Sequence, residues 1–84
     1  MTWFVYMLRC RGGSLYTGIT TDLRRRVAAH RAGRGSRYTR SHLPVRLVYR
    51  ERRATRGAAL KREAAIKRMS PTAKRRLVRR SEPG

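Results

Sequence analysis

The chain has so few acids that each can be weighed alone: Asp22, Glu51, Glu63 and Glu82 are the whole set. Asp22 stands where a helix would begin and reads as its cap. Glu51 closes an apolar run and reads as an exposed strand end, while Glu82 lies near the C-terminus. Glu63 is different, because Ala59, Leu60, Ala64 and Ile66 around it read as packed helix positions. By itself it would pair with Lys67 at i+4, an interaction worth roughly 0.3 kcal/mol. A single carboxylate can also recruit one Mg²⁺ when phosphates complete the shell, since that ion keeps most of its waters. It is not enough for a centre built on two metals.

Two phenols and a run of arginines carry the remaining chemistry. Tyr6 and Tyr16 each sit in a β-like stretch and would serve as core aromatics or as a pair of phenols facing a cleft. Moving a phenol from a pKa near 10 to about 7 takes roughly 4 kcal/mol of differential stabilisation, which crowded arginines and a metal would have to provide. Gly18, two residues past Tyr16, leaves a strand position with no side chain, so a backbone or ligand can approach closely, or the position marks a bulge. Arg24, Arg25 and Arg26 point about 100° apart on a helix. They therefore divide their roles, and one of them can clamp a phosphate bidentately. His30 lies four residues beyond Arg26 on the same face.

The charge balance says what such groups would meet. Lys plus Arg number 23, Asp plus Glu number 4, and the formal charge is +19. A chain so charged attracts polyanions, of which RNA and DNA are the commonest. No apolar run approaches the roughly 20 residues of a spanning helix. The start, Met1-Thr2-Trp3-Phe4-Val5-Tyr6, lacks the basic region of a signal peptide. One cysteine, Cys10, excludes an internal disulfide, and two histidines make a structural zinc site a poor fit. These features point to a cytoplasmic protein, nucleoid-associated when bound to DNA.

The elements that must position these residues follow from pattern and punctuation. Residues 3–10 are apolar, aromatic and β-branched and read as a strand buried on both faces. Arg11-Gly12-Gly13-Ser14 is a turn, and residues 15–20 return as a second strand. Thr21 or Asp22 caps a helix that carries Leu23 and Val27 and stops at Gly33. Residues 33–44 read as a polar loop with one short helical turn, in which Arg34, Arg37 and Arg40 surround Tyr38. Tyr38 would stack on an unpaired base or anchor the loop. Val45 to Tyr49 alternates like a half-buried third strand. Thr55 opens a long helix with Ala58, Ala59, Leu60, Ala64, Ala65, Ile66 and Met69 as its apolar side. Ser70-Pro71 stops it and starts a short basic helix reaching about Arg79. The predicted fold is α+β: a three-stranded, mainly antiparallel sheet flanked by helices, in the order β-β-α-(turn)-β-α-α.

The ordered set of motifs resembles the GIY-YIG nuclease family, which includes homing endonucleases and the incision module of nucleotide excision repair. The resemblance rests on Val5-Tyr6-Met7, Tyr16-Thr17-Gly18, the stretch from Thr20 through Arg24-Arg25-Arg26 to His30, Arg37-Tyr38-Thr39-Arg40, Leu47-Val48-Tyr49 and Ala59 to Lys67. It is to the small, stand-alone branch, as one domain over residues 1–80 with 81–84 a frayed tail.

The resemblance implies a metal-dependent endonuclease, with a basic nucleic-acid-binding module of little or no catalysis as the alternative. Tyr6 and Tyr16 match the tyrosines of the two motifs, and one of them acts as, or positions, the general base. Arg26 matches the arginine that stabilises the pentavalent phosphate. His30 matches a histidine found in part of the family. Glu63 matches the carboxylate that holds one Mg²⁺ or Mn²⁺ ion. Arg24, Arg25, Arg37, Tyr38, Arg40 and Lys67 are the expected nucleic-acid contacts, with DNA placed ahead of RNA. A monomer is expected, with a homodimer as the other option. Many family members also carry an asparagine after the glutamate, and this chain contains none.

The shared site makes a geometric demand. Paired hairpin residues share a face, so Tyr6 and Tyr16 meet only if paired residue numbers sum to an even value. A two-residue Gly12-Gly13 turn gives an odd sum, so an odd-length loop or a bulge is predicted there.

Overall fold

A computed structural model describes residues 1–81. Trp3–Arg9 forms β1 and Leu15–Thr20 forms β2; α1 spans Leu23–Arg31 and α2 Arg37–Arg40. Arg46–Arg53 forms β3, followed by α3, Arg56–Lys67, and α4, Pro71–Ser81. The sheet is antiparallel with β1 in the middle, in the order β2-β1-β3. This is the predicted α+β architecture and element order.

The hairpin has the odd loop that the tyrosines require. Arg9 pairs with Leu15, Leu8 with Tyr16 and Tyr6 with Gly18. The Cys10 N–H donates to the Ser14 carbonyl at 2.9 Å, and the Gly13 N–H to the Cys10 carbonyl at 2.9 Å. Arg11, Gly12 and Gly13 thus form a three-residue loop. It needs positive φ at Gly12 (+88°) and Gly13 (+92°), where a side chain would be strained. With the even register, Tyr6, Leu8, Tyr16 and Gly18 all face one side of the sheet.

The two faces bury different cores. On the first, Tyr6, Leu8 and Cys10 pack with Val27 of α1 and Val45, with Tyr16, Leu23, Leu43 and Leu47 at the margin. On the other, Val5, Met7 and Tyr49 pack against Ala59 and Ile66 of α3 and Val78 of α4. Fully burying a side chain such as Ile66 is worth roughly 2 kcal/mol, and this contact seats α3 on the sheet. A bulge sets Met7 opposite Tyr49 but Leu8 opposite Leu47, so Val48 is the extra residue. Leu47 and Tyr49, two residues apart, can therefore serve opposite faces.

Several helix boundaries follow from local chemistry. Asp22 caps α1 by accepting the Arg25 N–H at 3.1 Å, and Gly33 beyond its end takes φ +80°. The Thr55 and Ser70 hydroxyls accept the N–H groups of Ala58 and Ala73, each at 3.1 Å.

Four details differ from the sequence reading. Strand β3 does not stop at Tyr49 but runs to Arg53, because Arg50 to Arg53 continue the ladder with β1 through to Trp3. Their charges hide the alternation. Glu51 is therefore an interior strand residue on the α3 face, with its side chain only 15% exposed. Leu60 is 38% exposed and Ala64 is exposed, since one helix face 12 residues long cannot turn all its apolar positions inward. Ser81 belongs to the last turn of α4 rather than to a tail, and residues 82–84 of the expected tail lie outside the described residues.

Candidate active site

The site begins with a hydroxyl that has nowhere to go but inward. Tyr6 is 1% exposed, and its O–H points to His30 Nε2 at 2.9 Å. Gly18 makes room for it, since a Cβ there would stand 2.5 Å from the Tyr6 Oη. Gly18 is thus a close-approach glycine.

His30 is fully buried and is fixed from its other side. Its Nδ1 lies 2.8 Å from Thr39 Oγ1, which lies in turn 2.9 Å from Ser36 Oγ and 3.3 Å from the Ser36 carbonyl. One assignment satisfies every group: the Thr39 hydroxyl donates to the Ser36 carbonyl, His30 Nδ1–H donates to Thr39, and Nε2 accepts the Tyr6 proton. Ser36 does double duty, because its hydroxyl also caps α2 by accepting the Thr39 N–H at 3.1 Å. A Cβ at Gly35 would overlap the His30 ring, so that glycine is the cradle of the imidazole.

Around this pair the other expected residues converge. The Tyr16 ring lies 5.1 Å from the His30 ring, and its hydroxyl has no hydrogen-bond partner among the described residues. Burial pushes the Tyr6 phenol up from its usual pKa; the Arg26 guanidinium beside it opposes this, while the Tyr16 and Glu63 charges add to the rise. Both Arg26 and Glu63 therefore stand close enough to act on the Tyr6 oxygen. In the free protein desolvation outweighs the one adjacent cation, so the phenol stands above its usual value. Burial, and then the Arg26 charge, lower the His30 pKa, so its imidazole is neutral at pH 7. Arg26 itself is exposed and reaches the Gly35 carbonyl at a weak 3.5 Å.

Glu63 extends from α3, whose buried residues face the opposite side of the sheet. Its side chain is 18% exposed, and Oε2 lies 3.4 Å from Lys67 Nζ, so the simple i+4 pair is present as well. Among the described residues, no three His, Cys, Asp or Glu side chains cluster as metal ligands. One hard oxygen ligand suits Mg²⁺ or Mn²⁺ completed by water and phosphate, not a dedicated protein cage. Within those limits Glu63 fits a single ion.

The expected nucleic-acid contacts scatter around this centre. Arg24 lies on the β3 side of α1, beside Leu47 and Arg50, whereas Arg25 and Arg26 line the other flank. Arg37 and Arg40 are exposed on α2. Tyr38 is still 42% exposed, but it is anchored: its O–H donates to Ser14 Oγ at 2.6 Å, and its ring stacks 4.1 Å from His42 and 6.3 Å from Tyr16. Lys67 is engaged with Glu63. Sequence reasoning missed Gly35, Ser36 and Thr39. Ser36 and Thr39 carry the Ser-x-x-Thr spacing of a cap, and Thr39 a place in the Arg37-Tyr38-Thr39-Arg40 motif, but neither signal says that a histidine lies nearby.

The comparisons with known proteins agree on one family. The model of the GIY-YIG catalytic domain matches residues 2–76. The UPF0213 protein of Desulfotalea psychrophila is 57% identical over 83 residues, covering 98% of this chain and 76% of its own length. The UPF0213 protein of Natronomonas pharaonis is 51% identical over 75 residues, covering 89% of this chain and 88% of its own length. Among solved structures, the UPF0213 protein of Bacillus halodurans superposes with a TM-score of 0.63 at 40% identity, covering 96% of this chain and 86% of that one.

Proposed function

The chain belongs to the GIY-YIG family, and on that premise we propose that it hydrolyses phosphodiester bonds in nucleic acid as an endonuclease, with DNA ahead of RNA as substrate. The observation that carries this reading is the buried chain Tyr6–His30–Thr39, which joins the first motif to the histidine of α1. A structural core has no need of three polar side chains in series. A proton-transfer unit needs an acceptor of fixed tautomer behind its working oxygen.

Tyr16, with its free hydroxyl, orients the attacking water. As that water's oxygen bonds to phosphorus, one of its protons passes to the Tyr6 oxygen while the Tyr6 proton passes to His30 Nε2. The phosphorus–oxygen bond to the leaving strand breaks, and solvent protonates the alkoxide. The depressed His30 pKa keeps the acceptor free at neutral pH. The phosphodiester's own negative charge, gathered at Arg26, offsets the imidazolium that forms. Arg26 also stabilises the charge that builds on the equatorial oxygens. Glu63 is the residue that would hold one Mg²⁺ or Mn²⁺ ion, whose chemistry is Lewis-acid stabilisation of the leaving oxygen.

The test is incubation with branched, single-stranded and duplex DNA in Mg²⁺ or Mn²⁺. Glu63→Ala is expected to lose at least about 100-fold in rate. Equal cleavage by wild type and variant would remove Glu63 from the mechanism. A second reading, binding without turnover, is favoured by the Glu63–Lys67 pair and by the missing asparagine. It expects salt-sensitive binding in the same experiment with no metal-dependent product.

A further inference from the structure

We propose that the flank of α1 turned away from the candidate active site holds the second backbone of a two-stranded nucleic acid. The inference rests on the reading above only in taking nucleic acid as the ligand.

A groove of about 360 Å³ runs between α1 and β3, with Leu23, Val27 and Leu47 as its floor and Arg24, Arg31 and Arg50 as its rim. A second hollow of about 400 Å³ shares Leu23 and Arg50 and extends the groove to Phe4 and Arg52. The spacing is regular for a simple reason. Arg24 and Arg31 are seven residues apart, two helical turns, so they share a face roughly 10 Å from end to end. Arg50 and Arg52 pair with Tyr6 and Phe4 and so lie on the face that α1 covers, roughly 7 Å apart along β3.

These guanidinium groups have no internal use. The ion pairs among the described residues are Arg53–Glu51, Arg62–Glu51 and Lys67–Glu63, and none involves a groove arginine. The one carboxylate in the lining, Asp22, is the cap of α1. A rim of unpaired arginine forks over an apolar floor suits a phosphodiester backbone, whose oxygens they meet bidentately.

The opposite flank of α1 bears a matching hollow of about 370 Å³, lined by Arg25, Arg26 and Ala29. Ala28 and Ala32 are exposed between the two tracks, so the outer ridge of α1 is low towards its C-terminal end, while Arg25 stands on the same ridge about one turn before Ala28. A ridge that combines two alanines with one basic side chain suits a duplex groove about 12 Å wide. One backbone then runs past Arg26 and the other past Arg24, Arg31, Arg50 and Arg52.

The experiment measures binding in EDTA, so that turnover plays no part and a failure of the nuclease reading leaves the result interpretable. Wild type and the triple variant Arg31→Gln, Arg50→Gln, Arg52→Gln are titrated with a short blunt duplex and with one of its strands across a salt series. The duplex slope of log affinity against log salt is expected to flatten by about 2–3, with a loss of roughly 10- to 100-fold, while the single strand changes by less than about threefold. Equal losses on both ligands, or an unchanged duplex slope, would overturn the proposal. Poly-glutamate losing affinity through the same substitutions while the duplex does not would assign the flank to an acidic protein instead. Should the triple variant fail to fold, Arg31→Gln alone is expected to flatten the duplex slope by about 0.9.

Discussion

The two faces of the sheet each carry a polar network under a helix, and they are built on opposite principles. Beneath α1 and α2, the buried Tyr6, His30 and Thr39 and the half-buried Ser36 form a chain of neutral groups linked at 2.8–2.9 Å. Beneath α3, Glu51 is gripped by charges: Arg62 Nε at 2.7 Å, Arg53 Nη2 at 3.0 Å and the Tyr49 hydroxyl, which donates to its other oxygen. In the first network Tyr6, His30 and Thr39 form a donor–acceptor series along which a proton can pass from Tyr6 to His30. The second is locked, since every lone pair that matters already faces a cation or a hydroxyl. Burial and the Glu51 carboxylate keep the Tyr49 phenol protonated by raising its pKa, and Glu51 likewise raises that of Arg62. The comparison separates two half-buried acids on or beside α3. Glu51 is an anchor that ties the helix to the sheet, whereas Glu63 makes a single ion pair among the described residues, to Lys67, and remains open to a ligand.

If the lower network is a structural lock, removing its centre should cost the most stability. Glu51→Ala is expected to lose about 2 kcal/mol by denaturant titration, less than a fully enclosed ion pair because both arginines keep some contact with water. A loss near zero would erase the distinction between the faces.

The upper network should respond in function more than in stability. Thr39→Val removes the acceptor for His30 Nδ1–H and is expected to cost about 1.5 kcal/mol. It should lower kcat roughly tenfold with KM unchanged, and Thr39→Ser should restore the rate. In wild type the rate should fall as pH drops through the depressed His30 pKa. Stability moves the same way: the unfolded histidine takes up its proton first, so the contribution is complete above about 6.5 and declines as pH falls towards the folded value. A pH profile indifferent to Thr39→Val would reduce the chain to packing. The smallest effect should come from Lys67→Gln, about 0.3 kcal/mol in stability, because the pair is exposed on the lysine side.

Local patterning made much of this legible. The hairpin strands, the caps at Asp22, Thr55 and Ser70, and the stop at Gly33 follow from nearest-neighbour chemistry, and the odd loop follows from parity once the family resemblance puts Tyr6 and Tyr16 in one site. Glu51 was misread because a charged residue next to arginines looks solvent-facing, and only pairing with β1 turned it inward. Thr39 stands in the Arg37-Tyr38-Thr39-Arg40 motif with no role attached, because its partner is nine residues away and meets it only when α2 folds back over α1.

The amino-acid order by itself determined the element sequence, the net charge of +19 and the scarcity of carboxylates, since each depends on composition or on chain-local geometry. Tertiary structure alone decided which glutamate is held and which is open, the fixed tautomer of His30, the protonated state of Tyr6 and the division of the α1 arginines between two flanks. Those properties arise from desolvation and from contacts across the fold, and both exist only once the helices lie on the sheet.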